Sequence, residues 1–355
     1  MQRLFIHCGL HKTGTTAIQI AFAARRATKP SEGDIFYPKA GCPLGASGHH
    51  NIAWQSTGDW RFEPNGGTLD TLKAEIGSAG GDVLISSEDF ESILCRDDLI
   101  RIISEFAKAV GRQPVFIVYL RNQLAYADSL YRTLVRHGFN EEFGQFAERA
   151  AAHGHVALCD WVFHFDYARA LSRLSRCENA VTVVRSYDAL GTTSAVVDLA
   201  QVVGLETIAI QNRAVDNRAA AKPALADSLR HFCANRWRRP TTILEDAVIE
   251  MLVGSARGLP IAAGAGIADK FAVAFSGANH ALCENFGIAP HGLRSGAPGF
   301  DAAPLLMERV FSERTVTMIA ALASSNPSNH FGHLDFDGGP AAWWREPSVC
   351  TPMAA

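Results

Sequence analysis

The stretch Phe5 to Gln19, FIHCGLHKTGTTAIQ, gathers the groups that could hold an anion. It reads as a buried strand, a glycine-containing turn that carries a lysine, and hydroxyl residues that open a helix. A turn of this kind aims several backbone N–H groups at one point, and the N-terminus of the following helix adds positive potential there. Lys12 supplies a mobile cation, Gly14 eases the turn, and Thr15 and Thr16 bring hydroxyl donors. The chemistry this suits is capture of a phosphate-like group. The plainer alternative is a threonine-rich helix cap on an ordinary strand–helix turn.

Hydrophobic patterning names the elements that must position this loop. Residues 3–8, 82–86, 115–120 and 181–184 are short apolar runs that predict buried strands. Helical spacing fills 17–26, 99–110, 124–135, 167–174 and 195–203. Asp97 and Asp98 suit a helix start, and Gly204 a helix stop. Strands alternating with helices predict an α/β fold, a parallel sheet with helices on both faces. After about residue 210 the pattern weakens to helical pieces at 224–234 and 244–252, set among Gly- and Pro-bearing segments. The expected organisation is therefore an α/β core over 1–220, a mostly helical C-terminal part over 221–325, and an irregular tail over 326–355 in which Trp343 and Trp344 pack on something.

The loop is not the G-x-x-x-x-G-K-[ST] of nucleotide triphosphatases, because Lys12 precedes Gly14 and no lysine follows it. The run Lys12-Thr13-Gly14-Thr15-Thr16 instead resembles the 5′-phosphosulfate loop of the PAPS-dependent sulfotransferases. These enzymes move a sulfuryl group from 3′-phosphoadenosine 5′-phosphosulfate (PAPS) and leave the bisphosphate PAP. The resemblance covers roughly residues 2 to 235 and is nearest to bacterial members that act on carbohydrate-like acceptors. It implies a P-loop NTPase-like sheet and a phosphate contact for each residue from Lys12 to Thr16. It also implies a second anion site, because the third predicted strand ends in Arg121 and the following helix carries Ser129, in the order of the pair that holds the 3′-phosphate in the family. An arginine fork and a neutral hydroxyl suit that task. Tyr187, in the segment VVRSYDALGTT, corresponds to the family's residue near the adenine. The family's basic C-terminal loop has no match here. Arg213, Arg218, Arg236, Arg238 and Arg239 are the basic residues that could replace it, or they form a solvated face.

Sulfuryl transfer to a hydroxyl or amine needs an in-line acceptor, a base for its proton, and charge stabilisation on the departing phosphate. Lys12 suits the last role. Glu88 follows Ser86-Ser87 and resembles the carboxylate of the S-S-E segment in carbohydrate sulfotransferases. His50, from the pair His49-His50 in an expected loop, is the alternative base, since other branches use a histidine and imidazole suits proton transfer near neutral pH. Glu88 is preferred because strand C-termini in such sheets face the ligand crevice. His7 alternates inside a strand and reads as packed rather than catalytic. Two other functions fit the fold. One is a P-loop kinase-like phosphotransferase, which needs Mg²⁺ and a lysine after the second glycine. The other is a non-catalytic nucleotide-binding protein.

The chain has 355 residues and a formal charge of −3, so no overall basic field favours nucleic acid. No apolar run reaches about 18 residues, so no integral membrane segment is expected. Leu4-Phe5-Ile6 is too short for the apolar core of a signal peptide. Eight scattered cysteines without a C-x-x-C pair point to reduced thiols in a cytoplasmic protein. The expectation is a PAPS-using enzyme that needs no metal and acts on a small-molecule or carbohydrate acceptor.

Overall fold

The computed structural model describes residues 1–26, 35–158, 161–191, 193–205, 225–254, 261–288 and 305–324. These form two compact units that interleave along the chain. The first comprises Met1–Asn122, Gly154–Ala220 and Phe275–Arg294, and the second Gln123–His153, Ala221–Ala274 and Ser295–Ala355. The chain thus leaves the first unit after Asn122 and returns at Gly154, instead of passing once from core to C-terminal part near 220. The expected tail over 326–355 lies outside the described residues, as do Arg213, Arg218, Trp343 and Trp344.

The first unit holds β1 (Arg3–Cys8), α1 (Thr15–Arg25), α2 (His50–Thr57), α3 (Leu69–Gly77), β2 (Val83–Ser87), α4 (Asp97–Ala109) and β3 (Gln113–Leu120). In the second unit the chain then forms α5 (Gln123–Arg136) and α6 (Phe143–His153). Back in the first, it forms β4 (His155–Leu158), β5 (Trp161–His164), α7 (Tyr167–Ser172), β6 (Val181–Ser186) and α8 (Ala195–Val202). The main sheet has the order β2-β1-β3-β6, and every pairing in it is parallel. β1 is followed by strands on either side of it, so the crossover direction reverses between β1 and β3 at the C-terminal edge, where ligands bind in open α/β sheets.

Side chains alternate between the two faces along each strand, as a two-residue period requires, and both faces are covered. Leu4, Ile6, Ile85, Phe116 and Val118 pack on one face with Ile52 of α2, Leu72 of α3 and Leu99 and Ile103 of α4. Phe5, Leu84, Val115, Ile117 and Tyr119 pack on the other with Ile18 and Phe22 of α1 and Val196 and Leu199 of α8. The expected α/β fold, a parallel sheet with helices on both faces, is therefore present. β4 and β5 form a separate antiparallel pair.

The second unit is mainly helical. It contains α5 and α6, then α9 (Leu225–Trp237), α10 (Ile243–Gly254), the short β7 (Ile261–Ala262) and β8 (Leu305–Leu306), α12 (Met307–Val310) and α13 (Glu313–Ser324). α11 (Ala265–Phe286) starts in this unit and ends in the first. Tyr131 centres an aromatic cluster here, meeting Phe143 at 5.2 Å, Phe311 at 5.3 Å and Phe146 at 5.5 Å between ring centroids. Of the basic residues after α9's last turn, Arg239 pairs with Glu245 at 2.6 Å, while Arg236 of α9 pairs with Glu313. Among the described residues no helix is long and apolar enough to cross a membrane. The described cysteines are unpaired.

Candidate active site

The loop from Gly9 to Thr16 closes tightly on the end of β1. Lys12 has φ 67° and Gly14 φ 82°, the left-handed region that a non-glycine residue rarely enters. Buried Thr13 lies between them and donates its Oγ1 hydrogen to the Leu10 carbonyl at 2.6 Å. A Cβ on Gly9 would sit 2.3 Å from Thr15 Oγ1, so only glycine lets the loop approach the helix there. α1 starts without a side-chain cap and without an acidic residue in its first turn. The Thr15 hydroxyl is buried and has no hydrogen-bond partner. An anion in the loop would satisfy both the hydroxyl and the open helix end.

Arg121, the residue after β3, reaches this loop. Its Nη1 donates to the Lys12 carbonyl at 3.0 Å, and its own carbonyl accepts from the buried Tyr167 hydroxyl at 2.8 Å. Its Nε is buried without a hydrogen bond, 3.8 Å from Asp188 Oδ1. The Arg121 guanidinium stands 5.6 Å from the Tyr187 ring centre. A Cβ on Gly14 would lie 3.3 Å from Tyr187 Cε2, which puts that ring against the loop. Lys12–Thr16, Arg121 and Tyr187, from three separate segments, therefore meet at one edge of the sheet. Ser129 lies on α5 in the second unit, half-buried.

The end of β2 supplies the acid side. Ser87 Oγ accepts from the Asp89 N–H at 3.0 Å and so caps a 3-10 helix, Glu88–Leu94. Glu88 Oε2 accepts from Gln19 Nε2 of α1 at 2.9 Å. His50 Nδ1 lies 2.9 Å from Ser87 Oγ, 3.1 Å from Asp89 Oδ2 and 3.8 Å from Glu88 Oε2. The two candidate bases thus occupy one site. The loop expected around His49-His50 is a correction: His50 is the first residue of α2 and His49 its N-cap. His49 is tied to the end of β2 by its backbone and its ring. Its N–H donates to the Ser86 carbonyl at 2.7 Å, and its Nδ1 accepts the Ser86 N–H at 3.1 Å. That long-range anchoring is what local propensity does not show.

A small cleft opens beside Glu88, lined also by His11, Trp54, Arg61, Asp89 and Trp161. Arg61 lies between the two indoles, 4.8 Å from the Trp54 ring centre and 5.3 Å from that of Trp161. It also pairs with Asp59 at 2.5 Å and approaches Asp89 at 3.6 Å. Trp54 Nε1 donates to Asp89 Oδ2 at 3.1 Å. Trp54, Arg61 and Trp161 belong to no recognisable sequence motif, and only His11 of the loop and the acidic run after Ser87 signal the cluster.

Histidine charge is set by place. Burial holds His7 and His49 down to about 3 and His164 to about 4. His7, paired with Ser86 Oγ at 2.8 Å, is the packed residue that its strand position predicts. For His50, burial pulls the pKa down, but the Asp89 hydrogen bond and the Glu88 charge outweigh it and the net shift is upward. Burial raises the Asp89 carboxyl, while its bond to His50 and the charges of His11 and Arg61 bring it below its usual value.

These shifts fix a pH dependence of stability. In the unfolded chain all these imidazoles titrate near about 6.5. Between 6.5 and about 3 for His7 and His49, or about 4 for His164, the unfolded chain binds the extra protons. Stability is therefore lost as pH falls through that window. The raised His50 and His11 act in the opposite sense: their contribution is complete below 6.5 and is lost as pH rises through their folded values. The expected result is a urea midpoint that drops steadily from about pH 7 to about pH 5. A flat midpoint over that range would mean that the three buried rings are charged in the folded protein.

No protein-family model matches the chain, and no curated protein matches it either.

Proposed function

We propose that the chain is a PAPS-dependent sulfotransferase with a P-loop NTPase-like fold. The observation that carries this reading is the convergence of the Lys12–Thr16 loop, Arg121 and Tyr187 at one sheet edge, with Glu88 at the end of the neighbouring strand. The buried, unpartnered Thr15 hydroxyl and the glycine-only approach at Gly9 fit a bound anion. In this reading the Lys12–Thr16 backbone and hydroxyls hold the 5′-phosphosulfate, Arg121 faces the 3′-phosphate and Tyr187 the adenine. When bound, PAPS supplies the sulfuryl group and a bisphosphate leaving group. Lys12 meets the charge that develops on the leaving oxygen. Glu88 takes the proton of the acceptor hydroxyl, with His50 behind it. The acceptor is a small molecule, of carbohydrate-like type, and the unpaired thiols suit the cytoplasm.

Thermal shift with PAP, PAPS and ATP, each with and without Mg²⁺, tests the reading. Stabilisation by PAP that ignores the metal supports it. Stabilisation only by ATP with Mg²⁺ would point to a kinase-like phosphotransferase, and PAP binding without turnover on any acceptor to a non-catalytic nucleotide-binding protein. Arg121→Ala is expected to weaken PAP binding by roughly 1.5–3 kcal/mol, the worth of a hydrogen bond to a charged group. Because Arg121 also braces the Lys12 carbonyl, AMP is the control. An equal loss for AMP, which lacks the 3′-phosphate, would make Arg121 a loop brace and not a phosphate ligand.

A further inference from the structure

His11 stands one residue before Lys12, and nothing in the loop's sequence pattern gives it a task. In the structure it is held as a catalytic imidazole is held. Its backbone N–H and its ring Nδ1 both meet Glu91 Oε2, at 3.2 Å and 2.9 Å. Glu91 is 1% exposed, and its other oxygen accepts the His164 N–H at 2.8 Å. A buried carboxylate fastened at both oxygens cannot swing, so it fixes the plane of the imidazole, the role a buried carboxylate plays beside a catalytic histidine. Phe163 backs the ring edge-on at 5.1 Å, and Trp161 lies 6.3 Å away. With Nδ1 engaged, Nε2 is the polar atom that the ring has left for the cleft it lines.

We propose that His11 is a further catalytic residue of this cleft: a fixed cation beside Lys12 that donates its Nε2 hydrogen to an oxygen of the sulfuryl group in transfer, with Glu91 as its positioning residue. The inference rests on the sulfotransferase reading. Its physical need is plain. Glu88, Asp89 and Glu91 of the 3-10 helix and Asp59 before α3 crowd negative charge around a site meant for an anion. Arg61 and His50 are already paired with Asp59 and Asp89. Lys12 is on the loop itself, and His164 of β5 is neutral, held near about 4 by burial. Burial also pulls His11 down, but the Glu91 hydrogen bond and the charges of Glu91, Glu88 and Asp89 more than reverse this, so its pKa lies above the ordinary 6.5. As the sulfur–oxygen bond to the acceptor forms and the one to the phosphate breaks, Glu88 receives the acceptor's proton. Lys12 faces the electron pair that departs with the phosphate oxygen. His11 keeps its proton throughout and contributes a charged hydrogen bond to the sulfuryl oxygen.

The test compares wild type, His11→Gln and Glu91→Gln. NMR titration of the His11 ring in the protein without ligand should give a pKa above 6.5 in wild type and a lower one in Glu91→Gln. Calorimetry should show PAP affinity unchanged within about twofold in His11→Gln, while kcat falls by roughly 10–100-fold, as for other lost charge-stabilising donors. In Glu91→Gln the alkaline limb of the rate profile should move to lower pH in step with the His11 titration. Should Glu91→Gln fail to fold, the wild-type titration and the His11→Gln kinetics decide. A His11 ring that titrates below 6.5, a His11→Gln enzyme of normal kcat, or an alkaline limb unmoved by Glu91→Gln would overturn the proposal. Wild type that binds no PAP would instead overturn the sulfotransferase reading, whatever His11 does in the titration.

Discussion

Lys12→Ala is expected to lower turnover by about 10²–10³-fold and to leave the fold intact, the loss typical of one group that stabilises transition-state charge. The loop's shape does not depend on the ammonium. It rests on Gly9, where a side chain would collide with Thr15, on Gly14 at φ 82°, and on the Thr13 bond to the Leu10 carbonyl. Arg121 holds the Lys12 carbonyl, which any residue at 12 would present. The backbone at Lys12, with φ 67°, carries a cost of roughly 1–2 kcal/mol for a residue with a Cβ. Lys12→Gly should relieve that cost and raise the urea midpoint, while being as inactive as Lys12→Ala. The pair of variants therefore separates charge from shape. Initial rates with PAPS and one acceptor, read beside urea unfolding, provide the measurement. Normal turnover in either variant would mean that another cation neutralises the leaving oxygen.

How much of this was legible in the sequence depended on how local each cause is. The run from Arg3 to Cys8 is apolar because β1 is covered on both faces, and its bounds are read directly. The Gly9–Thr16 turn is one contiguous segment, so its residue types and order disclosed a strand, a turn and a helix start there. α2 stayed hidden because its anchor is the pairing of His49 with Ser86, 37 residues away in the chain. The cleft is hidden for the same reason: Trp54, Arg61 and Trp161 share no spacing rule and are brought together only by folding. α11 lies in a stretch that gave no distinct helical piece, since Gly266 and Gly277 weaken its pattern, and its burial of Phe271, Phe275 and Leu282 supplies what propensity lacks. The interleaving of the units left no trace either, because α5 and α6 continue the helical rhythm of the strands and helices around them.

Glu88→Gln is expected to reduce turnover by roughly 10²–10⁴-fold while PAP affinity stays unchanged, the range for a lost general base. The structure sets Glu88 apart from the carboxylates beside it. Asp89 is engaged by His50, by Trp54 and by Arg61. Glu91 is engaged by His11 and by the His164 backbone. Glu88 accepts its hydrogen bond from a neutral amide, Gln19, and its nearest charged partner, His50, stands 3.8 Å away. Glu88 is thus the carboxylate of the three held most loosely by its neighbours, and it lines the cleft at a strand end. Glutamine keeps the size and can still accept from Gln19, so the fold and the anion loop should not change. His50 is not among the residues that line the cleft, and its Nδ1 is occupied by Asp89 and Ser87. His50→Ala should therefore cost about tenfold or less, through the electrostatics of Glu88 rather than through loss of the proton acceptor. Rates with PAPS across pH, taken with PAP affinity for both variants, decide between them. An inactive His50→Ala enzyme beside an active Glu88→Gln enzyme would exchange the two roles. If both variants turn over normally, the acceptor gives up its proton after the sulfur–oxygen bond has formed, and the transfer needs no base at either position.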